Sequence, residues 1–286
     1  MAQNATFKKS KVELRMGAGA SMFFGDLGGN FKSRKDGFLD IDMRSVRGNF
    51  NLSAKYNIYK WLAIRTDFNQ AQVVGDDAFS AEYFRRNRNL SFSSSISELS
   101  LTGELVAVNL LRWRQLSKLH FELYGFGGLG VFRFNPKATL NNRVYELQPM
   151  GTEGQGLIPG SKPYSLISGV LPLGIGLRKL VGNTVMVGVE LSLRKSFTDY
   201  IDDVSGTYYA NNVIREVRGD VAADLADRSL NGSGAAGTPR GNPGENDNYS
   251  FIQIYFQKGL SNQLIRDERQ AFRKITNKMH KCPKFR

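Results

Sequence analysis

Apolar and polar residues alternate one by one along much of the chain. In "KVELRMGAGASMFF", which starts at Lys11, Val12, Leu14, Met16, Ala18, Ala20 and Met22 share one parity, and Glu13, Arg15, Gly17, Gly19 and Ser21 share the other. The period returns in "VRGNFNLSAKY", where Phe50, Leu52, Ala54 and Tyr56 oppose Arg47, Asn49, Asn51, Ser53 and Lys55. In "WLAIRTDFNQ", Leu62, Ile64 and Phe68 oppose Arg65, Asp67 and Asn69. "ELSLTGELVAVNL", "LHFELYGFGGLGV", "VLPLGIGLR", "TVMVGVELSLR" and, less cleanly, "YSFIQIYFQKG" bring the set to eight. A period of two marks strands with two unlike faces, and no helical period intervenes between these segments.

The connections decide which face meets solvent. Stretches 25–44, 74–97, 134–163 and 198–247 are long, whereas 57–60, 112–118 and 180–183 are short. Long and short links in strict alternation are the layout of an outer-membrane barrel. A soluble up-and-down barrel, the alternative, needs no such loops gathered on one rim. The expected fold is therefore all-β: an eight-stranded antiparallel transmembrane β-barrel over residues 11–260, with long extracellular loops and both ends of the barrel on the periplasmic side. Its apolar parity then faces lipid, because a closed sheet satisfies its own backbone polar groups there. Tyr56, Tyr59, Trp61, Trp113 and Phe23 fit interfacial girdles. A barrel of this size holds only side chains, so the inward acids and bases are expected to pair as a charged plug rather than to line an ion pathway.

Composition changes the picture mainly at the C-terminus. The formal net charge is +13, which raises nucleic acid as a partner. However, the excess is unevenly placed: the last 21 residues hold eight Lys or Arg against two acids, six of the thirteen, and no nucleic-acid partner is expected. There Leu264, Ile265, Phe272, Ile275 and Met279 fall near a helical period among bases. Residues 261–286 are thus expected to form a short basic, amphipathic periplasmic tail. It either lies along the inner leaflet or docks a partner through Arg266, Arg269, Phe272, Arg273, Lys274, Lys278, Lys281 and Cys282. Cys282 is the single cysteine, so an internal disulfide and a cysteine zinc cluster are excluded. Among His280, Lys281 and Lys284 its thiolate is favoured, and an intermolecular disulfide to a periplasmic partner is expected. The opening "MAQNATF" shows no signal peptide, and Met before Ala-Gln suits a processed exported protein.

Few segments carry chemistry. "GFGGLG" (125–130) spells a dinucleotide fingerprint, but it lies inside an alternating strand with no helix opening after it. Those glycines instead allow bending or close approach of a neighbour. "FTDYIDDVSGTYY" sets Asp199, Asp202 and Asp203 beside Tyr200 at a strand end on the long-loop side. Hard oxygen ligands suit calcium, and paired acids suit a rim hydrolase. Only two histidines exist, His120 and His280, and neither falls at that rim. The aspartates are read as exposed structural turn residues, with no cofactor expected. The loop 198–247 holds nine acids against four bases. Its "NGSGAAGTPRGNPGEND" is expected to be mobile, and "GDVAADLADRSL" to form one short helix with Asp220 as N-cap.

"GASMFFGDLGG", "KYNIYKWLAIR", "PLGIGLRK", "FTDYIDDVSGTYY" and "KCPKF" together resemble PorG, a family of small outer-membrane barrels of the Bacteroidetes type IX secretion system. The resemblance runs from about residue 11 to 286, and its most specific parts are "FTDYIDDVSGTYY" and "KCPKF". It implies a protein without enzymatic activity that holds a periplasmic ring of the lipoprotein PorK and of PorN at the outer membrane. Outer-membrane lipid is the expected surrounding, with lipopolysaccharide as a further partner. An adhesin or receptor acting through the outer loops is the rival class.

Overall fold

The alternating segments are strands in the computed structural model, which describes residues 10–27, 44–107, 121–181, 185–232 and 234–260. They are β1 (Val12–Phe24), β2 (Arg47–Asn57), β3 (Leu62–Asp76), β4 (Ser91–Val106), β5 (Phe121–Leu140), β7 (Ile167–Leu180), β8 (Val185–Ser196) and β9 (Asn248–Gly259). A short β6 (Arg143–Glu146) folds back on β5 as a hairpin. Every pairing is antiparallel, and β1 pairs with β9 from Glu13↔Gly259 to Phe24↔Asn248, so the eight long strands close into a barrel. Among the described residues no helix is long and apolar enough to cross a membrane; the strands make the crossing.

Parity sorts the side chains as the sequence requires. Leu14, Met16, Leu52, Ile64, Leu99, Leu101, Leu129, Ile175, Val189, Ile254 and Phe256 are exposed on the outer wall, while Glu13, Arg15, Lys55, Arg65, Glu104, Glu122, Arg178 and Glu190 are buried inside. A soluble barrel has the reverse arrangement. An apolar exterior around a charged interior makes this an outer-membrane barrel, at home in the cell outer membrane. Tyr56, Tyr59 and Trp61 ring its short-turn end, with Tyr59 stacked on Trp61 at 5.6 Å. Phe23 does not join them. It is buried at the opposite end, edge-on to Phe92 at 4.8 Å. Trp113 and the link 112–118 lie outside the described residues.

The strands outrun the ends that the sequence pattern sets for them. Stretches 74–97 and 134–163 read as loops, yet β3 continues to Asp76, β4 begins at Ser91 and β5 runs to Leu140. Polarity inverts as the strands leave the membrane. On β4, Leu99, Leu101 and Leu105 face out and Glu98 and Glu104 face in. Farther up, Ser93, Ser95 and Ser97 face out, and Phe92 and Ile96 are buried. β5 repeats the switch, with Arg133 and Lys137 outward and Phe132 and Phe134 buried. Above the lipid the same barrel meets water and turns apolar inside.

The extracellular links form a packed cap rather than free loops. It contains α1 (Tyr83–Arg88), α2 (Asn211–Arg218) and α3 (Asp220–Ala226). Its core joins Leu27, Leu90, Leu147, Ile201, Val204 and Leu225 to Phe92, Phe134, Tyr249 and Phe251 of the upper lumen. Asp220 opens α3 instead of capping it; Gly219, at φ +88°, is the N-cap, since α2 and α3 meet there at a corner that favours glycine. The Gly/Pro-rich segment expected to be mobile is tied down. Tyr208 N–H donates to Thr238 O at 2.9 Å, Gly237 N–H donates to Tyr208 O at 2.8 Å, and Thr207 bridges to Pro239.

Candidate functional site

Two buried polar assemblies stand out, one inside the barrel wall and one in the cap. In the lumen, five cations (Arg15, Lys55, Arg65, Arg178, Arg194) meet six acids (Glu13, Asp67, Glu98, Glu104, Glu122, Glu190). Glu190 on β8 is a hub. It accepts from Arg15 of β1 at 2.5 Å, Arg65 of β3 at 2.9 Å and the Tyr124 hydroxyl of β5 at 2.7 Å. Arg178 joins Glu104 at 2.7 Å and Glu122 at 2.6 Å, and Lys55 joins Glu13 at 2.6 Å. Four of the five cations also lie over aromatic rings: Arg15 over Tyr255 at 3.7 Å, Arg65 over Phe126 at 4.3 Å, Arg178 over Tyr124 at 4.6 Å and Arg194 over Phe251 at 4.4 Å. Guanidinium suits such sites because it stacks and forks at once. Paired this way, the charges are structural filling, as the plug reading expects.

The glycines fit this interior. A Cβ at Gly176 would lie 2.2 Å from the Tyr124 ring, and one at Gly188 would lie 2.5 Å from that of Tyr255. Within "GFGGLG", a Cβ at Gly128 would fall 2.0 Å from the Leu101 carbonyl oxygen of the adjacent strand. Close approach of β4 to β5 explains that glycine, and the nucleotide-like spelling is accidental.

The cap holds the "FTDYIDD" aspartates, and here the expectation of exposed turn residues is overturned. Asp199, Asp202 and Asp203 are 7%, 1% and 0% exposed. Asp202 and Asp203 satisfy polar groups where the loops converge over the lumen. Asp202 accepts from Leu27 N at 3.1 Å and Val204 N at 3.0 Å. Asp203 sits at φ +67°, a conformation that aspartate tolerates better than most residues. Its two oxygens accept from Thr152 and from Tyr164, both at 2.6 Å. Tyr200 stacks on Tyr164 at 4.4 Å.

Two buried arginines complete the cap. Arg88 forks onto Asp77 at 2.7 and 2.9 Å, and also donates to the Arg240 and Asp26 carbonyls. Arg240 donates to Glu153 at 3.1 Å and to the Asp203 carbonyl at 2.6 Å. Glu153 in turn accepts from the Ser205 and Gly206 amides at 3.0 and 3.2 Å. Burial drives the Asp203 carboxyl up to about 6 despite Arg240 and the two hydroxyl donors. Burial, then neighbouring Asp26, pushes Asp202 well above the carboxylate range. Among the described residues no group of His, Cys, Asp or Glu is arranged to hold a metal ion.

The structure thus gathers Asp199, Tyr200, Asp202 and Asp203 into one cap. The proposed partner-binding residues Arg266, Arg269, Phe272, Arg273, Lys274, Lys278, Lys281 and Cys282 lie outside the described residues, as do His120 and His280. Sequence reasoning missed Asp77, Arg88, Glu153, Tyr164 and Arg240. They come from three different extracellular links, and only the fold brings them together.

No curated protein matches the chain. Its fold is similar to that of Neisserial surface protein A, at 8% identity and TM-score 0.41 over 88% of this chain and 98% of that one. It is also similar to Ail, the attachment invasion locus protein of Yersinia pestis, at 11% identity and TM-score 0.38 over 87% and 98%. A third similar structure is a major outer membrane protein from Thermus thermophilus, at 10% identity and TM-score 0.38 over 86% and 98%. A family model covers most of the sequence, matching residues 4–224, and by that match the chain belongs to DUF6089, a domain of unknown function.

Proposed function

We propose that the protein is a non-enzymatic outer-membrane anchor of a type IX secretion system, holding the periplasmic PorK/PorN ring through its basic tail. The observation that carries this reading is the filled lumen. Ion pairs, aromatic rings and the cap core occupy it from Glu13 to Phe134, which suits a fixed anchor better than a conduit. β1 starts and β9 ends beside each other at the short-turn rim, which supports a periplasmic location for the net +6 segment that follows in sequence. The sequence resemblance to PorG supplies the identity of the partner. Deleting residues 262–286 is expected to leave the barrel inserted, with heat-modifiable gel mobility, while PorK/PorN co-purification and type IX export fall. Unchanged export in that deletion overturns the reading. An interchain bond through Cys282 is part of the same proposal. A non-reducing gel should show a heavier, reductant-sensitive band that Cys282→Ser abolishes.

Exposed apolar residues on the cap favour a second reading, a receptor or adhesin. Tyr83, Phe84 and Leu230 are 73%, 52% and 73% exposed. In that case Tyr83→Ser/Phe84→Ser abolishes surface binding, and the tail deletion does not.

A further inference from the structure

A groove of about 240 Å³ indents the outer wall of the barrel above the apolar belt. The belt ends at the row Phe68, Leu99 and Val131, which are ladder neighbours on β3, β4 and β5. One row higher on the outer face come Gln70, Ser97 and Arg133. Two rows beyond that, Val74, Ser93 and Lys137 sit side by side. Six residues of tilted strand raise that row by roughly 15 Å over the last apolar one. The groove therefore opens sideways, at the height where sugars and phosphates of an outer leaflet lie.

Its chemistry suits them. Arg44, Arg47 and Lys137 line it together with Ser91, Ser93 and Phe79. Arg47 is held by the Arg44 and Val46 carbonyls at 2.8 Å, neutral acceptors that among the described residues stand in place of a carboxylate partner. Arg44 lies 4.5 Å over the half-exposed Phe79 ring, which offers an apolar face beside a cation. Opposing these are Asp76, which lines the groove and accepts from Ala78 N, and Glu146, which pairs with Lys137 at 3.0 Å. Among the described residues, and with Arg133 counted, four cations face two acids. Between them Gln70, Gln72, Ser93 and Ser97 present paired amides and hydroxyls, which neither lipid nor the barrel interior requires.

We propose that this groove binds the phosphorylated sugar headgroup of an outer-leaflet glycolipid, lipopolysaccharide, with Arg133 at the inner phosphates and Arg44, Arg47 and Lys137 at the anionic groups farther out. The proposal does not depend on the tail and stands or falls separately from the secretion reading. The test uses the full chain in zwitterionic-lipid nanodiscs, titrated with labelled lipopolysaccharide lacking O-antigen. Arg47→Ala/Lys137→Ala should bind at least about 10-fold more weakly, at roughly one cation's worth of surface attraction per residue. Lys162→Ala, an exposed cation elsewhere on the cap, should bind as wild type. Dephosphorylated lipopolysaccharide should bind wild type and the double variant alike. Heat-modifiable mobility controls for folding, and Arg133→Gln is the substitute if the double variant does not insert. Wild-type affinity in the double variant overturns the proposal. So does an equal loss in Lys162→Ala, or equal competition by phosphatidylglycerol vesicles, which would reduce the effect to charge alone.

Discussion

Replacing Glu190 with glutamine strips one negative charge from the centre of the lumen while keeping the side chain's shape. Two cations lose a partner, but unequally. Arg65 keeps Asp67 at 2.8 Å and Glu104 at 3.5 Å. Among the described residues Arg15 keeps only the Gln253 amide oxygen at 3.3 Å and the Tyr255 ring, and its Nε already lacks a hydrogen-bond partner. The penalty therefore falls on Arg15, and breaking a buried pair by removing one partner costs about 3–5 kcal/mol. Glutamine can still accept one bond, so the lower end, about 3 kcal/mol, is expected. Removing the stranded cation as well, in Glu190→Gln/Arg15→Met, should restore stability to within about 1 kcal/mol of wild type. Guanidinium unfolding of the detergent-solubilised barrel, followed by loss of the heat-modifiable band, measures both variants. A cost below about 1 kcal/mol for the single variant, or a double variant as unstable as the sum of the singles, would refute the hub argument.

Further expectations concern the wall, the cap and the lipid face. Gly128→Ala would set a Cβ 2.0 Å from the Leu101 oxygen and 2.7 Å from the Thr102 Cα, and overpacking of this kind costs about 1–3 kcal/mol. At Gly103, where the nearest atom would be 3.9 Å away, alanine should be near neutral in the same unfolding assay. Leu101→Arg, in the middle of the apolar belt, should cost about 2–4 kcal/mol of insertion free energy, whereas Ser95→Arg above the belt should not. The Asp203 carboxyl, ordinarily at 3.8, is held at about 6, so the folded cap binds its proton more tightly than the unfolded chain does. That contribution is full below about pH 4 and is lost as pH rises through about 6, amounting to about 3 kcal/mol. Hydrogen exchange across residues 199–209, corrected for intrinsic rate, should slow at about pH 5 relative to about pH 7.5. Asp203→Asn should flatten that dependence; an unchanged profile counts against it.

The strands were legible because lipid outside and charge inside impose one parity over each crossing. Val12 to Met16 on β1 and Val185 to Val189 on β8 read correctly for that reason. The upper parts of β3, β4 and β5 were not legible, because the rule that identified the strands reverses where water replaces lipid. Following one parity, "SFSSSIS" looks like a polar loop, although Phe92 and Ile96 are buried wall residues. The cap was illegible for another reason. Asp203 and Arg240 lie 37 positions apart in one link, Thr152 and Tyr164 belong to another, and no spacing in the chain announces that they will meet. Even "FTDYIDD", which does stand out, gives no sign of whether its carboxylates face solvent or the lumen below.

The ion-pair lattice also constrains how the chain can assemble. Arg15 and Glu190 are 175 positions apart in sequence, and Arg65 and Glu190 are 125 apart. Until β8 arrives, Arg65 on β3 has Asp67 and Glu104, but Arg15 on β1 has no Glu190 to meet and needs water around it. A half-built sheet thus cannot dehydrate its concave side. Expulsion of that water and formation of the central pairs must coincide with docking of the last two strands. Seam closure of this protein should therefore be a single late event, sensitive to the order in which its C-terminal third is delivered.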